Sequence, residues 1–157
     1  MNDRIKIGID FGGVLSIHDK NKSSDGSHKN VELDMPQAIE SLHILKERGY
    51  ELYLISFCGK KRAEETKKSL EKYSHLFQNY FFVKSKDHKG QVCNFLGIHI
   101  MIDDTDSVLF KVHEKSPTTK CILFENWEKT MDEITKIEYF EIISDVISIN
   151  SYVYKIE

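Results

Sequence analysis

Residues 4–16, RIKIGIDFGGVLS, alternate polar and apolar side chains up to Ile9 and then run through Asp10 into a pair of glycines, which reads as a strand feeding a tight loop. Working outward, the pattern repeats. Pro36 suits a first helical turn, and Ile39, Leu42 and Leu45 form one apolar stripe that stops at Gly49. The run ELYLIS at 51–56 is apolar enough for a strand covered on both faces, and 60–73 follows with Ala63, Thr66, Leu70 and Tyr73 on one helical face. A short aromatic strand at 80–83, a helix at 89–96 closed by Gly97, and a strand at 98–102 ending on Asp103 and Asp104 come next. The last strand is expected at 121–124, and Ile134, Ile137, Phe140, Ile143 and Ile147 mark a C-terminal helix. Strands alternating with helices in this way predict an α/β protein: one parallel sheet with helices on both faces.

The length of 157 residues fits a single domain, 1–157, and excludes two large ones. With 40% hydrophobic and 30% charged residues, a packed core is expected. Lys and Arg number 22 against 25 Asp and Glu, so the formal charge of -3 provides no overall positive field, and nucleic acid is not indicated as a partner. Cys58, Cys93 and Cys121 form no CxxC pair, which argues for a reducing compartment over a disulfide framework or a zinc knuckle. The apolar run at the start is broken by Lys6 and Asp10, too short for a membrane span or signal peptide, so a cytoplasmic protein with no membrane partner is expected. Residues 16–35 are polar, with KNKSSDGSHKN at 20–30, and are expected to form a flap or minimal cap.

In an open parallel sheet the working residues gather at the carboxyl ends of the strands, where loops converge and helix N-termini point at the ligand. Asp10, Ser56, Asp103 and Asp104 all fall at such ends, and Lys89 opens a helix near the same rim. Carboxylates so close together repel one another and call for a hard divalent cation such as Mg²⁺. The hydroxyl and the ammonium call for an anion. Together they describe a phosphate site in which metal and Lys89 neutralise the phosphoryl group, Ser56 and backbone amides of the Gly12–Gly13 turn hold its oxygens, and a carboxylate attacks phosphorus. Lys84 and Lys86 lie close enough in sequence to compete with Lys89 for this role.

These motifs resemble those of the haloacid dehalogenase (HAD) superfamily, and the likeness covers the chain from about residue 4 to about residue 124. IGIDFGGVLS resembles the first motif, ISFCG the second, and DHKGQVCNFLGIHIMIDD the third and fourth. The resemblance implies a Rossmann-like core and a Mg²⁺-dependent phosphatase acting on a phosphate monoester. It makes Asp10 the nucleophile, Ser56 the phosphate-binding hydroxyl and Lys89 the charge-balancing lysine. Asp10, the Gly12 carbonyl and the pair Asp103 and Asp104 become the metal set. The gaps between motifs leave no room for a large cap domain, so the resemblance is to the capless or minimal-cap branch, with an open site able to admit a large phosphorylated substrate.

One position departs from the family pattern. Gly12 stands where most HAD phosphatases carry a second Asp, which protonates the leaving oxygen, and acid-base help of this kind is worth about 10²–10⁴ in rate. Two readings follow: a phosphohydrolase of reduced power, or a weakened HAD-fold protein that binds a phosphorylated ligand or a protein partner. In the first case the rate is expected to depend steeply on leaving-group pKa, with aryl and acyl phosphates hydrolysed well and sugar or nucleoside phosphates poorly, unless the flap lends a substitute acid from His18, Asp19, Asp25 or His28. The order of the motifs argues against a response-regulator receiver, whose acidic pair comes first and whose phosphorylated Asp lies in mid-chain. GxxxxGK[ST] and GxGxxG are both absent, which disfavours a nucleotide-binding module. The remaining His residues show no HExxH or paired ligand spacing, Cys58 has no His or Asn arrangement to activate it, and Trp127 in LFENWEK reads as a packing or rim residue. The oligomeric state is left open.

Overall fold

The structure, a computed structural model, describes residues 4–18 and 30–150. Five strands form one sheet: β1 (Lys6–Ile9), β2 (Glu51–Phe57), β3 (Phe77–Val83), β4 (Ile100–Asp103) and β5 (Lys120–Leu123). Their order is β3-β2-β1-β4-β5, and every pairing is parallel. Five helices connect or follow them: α1 (Ala38–Glu47), α2 (Lys60–Ser69), α3 (His88–Leu96), α4 (Asp106–Lys115) and α5 (Trp127–Asn150). None of the described helices is long and apolar enough to cross a membrane.

The central strand carries the fold. Ile7 and Ile9 of β1 are fully buried, since parallel strands joined by crossover helices are covered on both faces. One face packs Leu42 and Leu45 of α1 and Trp127 and Ile134 of α5 against Ile7, Ile9, Leu52, Leu54, Ile100 and Ile102. The other joins Cys93 of α3 and Val108, Leu109 and Val112 of α4 to Ile55 and Met101. This is the expected parallel sheet with helices on both faces.

Several elements differ from the sequence reading. Helix α1 begins at Ala38, after Pro36, because Gln37 takes a left-handed conformation with φ 66°. The helix expected over 60–73 ends at Ser69 and tightens into a 3₁₀ segment, Glu71–Leu76; Thr66 and Leu70 are buried as expected and Tyr73 packs against the core. Gly97 does cap α3, with φ 69°. Helix α4 has no counterpart among the expected elements. In α5, Ile134 is buried and Ile137 packs against the core, but Phe140, expected on the same stripe, is 67% exposed. The side chains of Ile143 and Ile147 lie outside the described residues.

Of the expected flap, 16–18 and 30–35 are described and 19–29 are not, so Asp19, Asp25 and His28 lie outside the described residues. The two ends of the segment are tied together. The Ile17 amide donates to Asp34 Oδ1 at 2.8 Å, and Asn30 Nδ2 donates to the Ile17 carbonyl at 2.9 Å. The Met35 amide donates to the Leu15 carbonyl at 3.2 Å, and Val31 and Leu33 pack against the main core.

Candidate active site

Parallel register brings the chemistry to one edge. Ile9 pairs with Leu54 on one side and Ile102 on the other, so Asp10, Ser56 and Asp103 emerge at the same ends of three adjacent strands. The Asp10 amide continues the ladder, donating to the Ile102 carbonyl at 3.0 Å. Beyond it the chain turns sharply: the Leu15 and Ser16 amides both donate to the Phe11 carbonyl, at 2.8 and 3.1 Å, while Phe11, Val14 and Leu15 sink into the core. Gly13 has φ 79°, and a methyl group on it would collide with the Asp104 carboxylate and the His18 imidazole, so only glycine fits. Gly12 pairs with Ser16 in an isolated bridge and keeps a negative φ.

At the floor of the site the Lys89 ammonium donates to Asp10 Oδ1 at 3.0 Å and to Asp103 Oδ2 at 2.6 Å. All three residues are buried, Asp103 at 1%, Lys89 at 3% and Asp10 at 7% exposure. Lys84 and Lys86 are exposed, so of the three candidate lysines Lys89 is the one that meets the carboxylates. Burial pushes the Asp10 carboxyl up to about 7; Lys89 opposes this, and Asp103 and Asp104 add to it. Burial raises Asp103 as well, against the pull of Lys89. For Lys89 itself burial favours the neutral amine, yet the two carboxylates outweigh it and hold the ammonium above its ordinary value. Two carboxylates around one cation in a dry site leave an excess of negative charge that a proton or a further cation must offset.

Asp104 stands higher. Its Oδ2 lies 2.7 Å from His18 Nε2, and its Oδ1 accepts from the Thr105 hydroxyl at 3.3 Å. The Thr105 amide, at the start of α4, donates to Asp103 Oδ1 at 3.0 Å, so α4 fixes the acidic pair. Oxygens of Asp10, Asp103 and Asp104 lie within 4.8 Å of one another, a hard all-oxygen set that could hold a metal ion. Ser56 is 6% exposed near the end of β2, and its hydroxyl makes no hydrogen bond among the described residues.

Two residues beside the site escaped the sequence reading. Arg62 of α2 reaches over the loop: its Nη2 donates to the Asn30 carbonyl at 3.0 Å and lies 3.9 Å from where a Gly12 Cβ would stand. A cue was present, since Arg62 is one of three arginines in a chain whose other cations are Lys. Trp127 is not at a rim. It is fully buried, and its indole Nε1 donates to the Val14 carbonyl at 2.9 Å, pinning the turn that follows Asp10.

No protein-family model matches the chain, and no curated protein does. Solved structures do. A chain of the Pnkp1/Rnl/Hen1 RNA repair complex superposes with a TM-score of 0.55 at 19% identity, over 79% of this chain and 43% of that one. This chain thus spans less than half of that relative's length. D,D-heptose 1.7-bisphosphate phosphatase from B. bronchiseptica, complexed with magnesium and phosphate, superposes with a TM-score of 0.57 at 8% identity, over 84% of this chain and 98% of its own. A HAD-superfamily hydrolase from Ehrlichia chaffeensis overlaps less well, with a TM-score of 0.47 at 16% identity over 65% of this chain and 58% of its own. Identities this low speak to the fold. With its parallel order β3-β2-β1-β4-β5 and acidic residues at the ends of β1 and β4, the chain has a HAD-like fold.

Proposed function

We propose that this chain is a Mg²⁺-dependent phosphohydrolase that moves the phosphoryl group of a phosphate monoester onto Asp10 and then to water. The observation that carries the reading is the buried trio Asp10, Lys89 and Asp103, with Lys89 bridging the two carboxylates at 3.0 and 2.6 Å at the strand ends. Burial of three charged groups is costly, and a fold that needed only stability would be served as well by apolar residues there. Residues 16–35 act as a minimal cap, which leaves the site open to a large phosphorylated substrate.

The donor set fits a hard divalent ion, with Asp10 and Asp103 as ligands, Asp104 orienting from beside them and the Gly12 carbonyl completing the set. Bound there, Mg²⁺ supplies charge neutralisation to the phosphoryl oxygens. An Asp10 oxygen attacks phosphorus, the bond from phosphorus to the leaving oxygen breaks, and the acyl phosphate on Asp10 is later cleaved by water, releasing phosphate and restoring the carboxylate. Lys89 offsets charge on the nucleophile and the transferring group, while Ser56 and the amides of the turn hold the phosphoryl oxygens. His18 stands in for the missing acid. Its Cε1 lies 3.3 Å from the point a Gly12 side chain would start from, and Asp104 holds its Nε2.

Gly12 also favours a second reading, a protein that binds a phosphorylated ligand without turnover. A Mg²⁺-dependent assay on a panel of phosphate esters decides between them. Wild-type turnover that falls by about 10³-fold or more in Asp10→Asn supports the hydrolase. Full activity in Asp10→Asn rejects Asp10 as the nucleophile, and binding without turnover by the wild type supports the second reading.

A further inference from the structure

Arg62 has no part in the chemistry described so far. Its guanidinium is half-buried, and Nη1 is buried without a hydrogen-bond partner among the described residues, although a charged donor left unpaired away from water is costly. Nη2 makes one bond, to the Asn30 carbonyl, and no carboxylate lies within ion-pair distance among the described residues. Its position is defined from two sides. It flanks Gly12 opposite no side chain, and the Cys58 thiol, pushed up chiefly by burial, senses Arg62, Asp10 and Lys89 together. The site therefore has two cationic levels. Lys89 belongs to the floor, where its side chain is 4% exposed and bridges Asp10 and Asp103. Arg62 belongs to the rim, beside His18, whose side chain is 38% exposed.

We propose that Arg62 is a specificity-determining residue that receives a second anionic group of the substrate, a carboxylate or phosphate close to the phosphoryl group that Asp10 attacks. A planar guanidinium with free donors matches either anion through paired hydrogen bonds, which a Lys in its place would not reproduce. Gly12 contributes by its size, since it places no side chain between the rim and the entering substrate. The preferred substrates are thus phosphate esters that carry a second anionic group close to the transferred phosphoryl group, rather than phosphate esters of neutral alcohols. This rests on the phosphohydrolase reading for the phosphoryl end of the substrate.

The test measures binding to the full chain in the presence of excess Mg²⁺, by calorimetry, and so needs no turnover. Propylphosphonate, phosphonoacetate and methylenediphosphonate are the probes: the first has a neutral tail, the second a carboxylate, the third a second phosphonate. The wild type should bind one of the doubly anionic probes about tenfold or more tightly than propylphosphonate, as expected for a charge-assisted pair. Which of them is preferred identifies the second anion. Arg62→Ala should abolish that preference while changing the propylphosphonate affinity by less than about twofold, and Arg62→Lys should restore part of it. A preference that survives in Arg62→Ala overturns the proposal, even if the variant melts lower through loss of the Asn30 contact. Equal weakening of all three probes overturns it too, because Arg62 would then serve the transferred phosphoryl group. If the wild type binds none of them, the phosphate site itself is misassigned. If it binds all three alike, only the role of Arg62 falls.

Discussion

The lone position that departs from the family pattern makes a kinetic prediction at the residue scale. Under the proposed mechanism, with Gly12 in place of an acid, the leaving oxygen takes its proton from His18, and the need for it grows with the basicity of the leaving group. His18→Ala should therefore slow alkyl phosphates by about 10²-fold and aryl phosphates by much less. A steady-state comparison across leaving groups reads this directly; equal losses for both classes would remove His18 from the proton transfer. Gly12→Asp should flatten the dependence on leaving group. Its φ is negative, so the backbone accepts a side chain, and the His18 ring 3.3 Å away need yield only slightly. Gly13→Ala is different. At φ 79° and against Asp104, it should cost about 1 kcal/mol or more in denaturant unfolding and weaken the Mg²⁺-induced thermal shift. Asp103→Asn should diminish that shift most, since it removes both a ligand charge and a Lys89 partner.

At the scale of elements, the turn that follows Asp10 is held by residues far along the chain. The first residue of α5, Trp127, packs edge-on against Phe124 with ring centroids 5.5 Å apart and bonds the Val14 carbonyl. Trp127→Phe keeps most of the packing and should cost about 1 kcal/mol through the lost hydrogen bond. Trp127→Ala should cost about 3–5 kcal/mol, and chemical denaturation measures both. Helix α4 plays the matching part for the acidic pair through the Thr105 amide. It was illegible in sequence for a physical reason: in DSVLFKVHEK three β-branched or aromatic residues sit among the apolar ones, and Phe110 points outward at 65% exposure, blurring the helical stripe made by Val108, Leu109 and Val112.

For the whole molecule, the buried charges couple stability to pH and metal. Without metal, folded Asp10 holds its proton up to about 7, against 3.8 as its ordinary value, so between those pH values the folded state binds more protons than the unfolded one. Stability from this group therefore falls as pH rises across that window. Mg²⁺ competes with the same proton, so the stabilisation it confers should grow up to about pH 7 and level off above it. Thermal melts over pH 5–8 with and without Mg²⁺ would show the two curves separating, and Asp10→Asn should remove the pH dependence of that separation. A Mg²⁺ effect independent of pH below 7 would place the ion away from Asp10.

The sequence by itself determined the alternation of strands and helices, the parallel sheet, and the residues at its carboxyl edge, because short apolar runs, Gly turns and acidic strand ends are local signals. Asp10, Ser56, Asp103 and Asp104 could be placed at one rim from strand order alone. Only the tertiary structure decided which lysine reaches them, since Lys84, Lys86 and Lys89 differ in burial and not in kind. It also decided that Gly13 takes the left-handed backbone, that Trp127 bonds the turn after Asp10, and that Arg62 stands beside Gly12. The contacts of Arg62 and Trp127 join residues 32 and 113 positions apart, fixed by how the helices close over the sheet, and no local period or spacing encodes them.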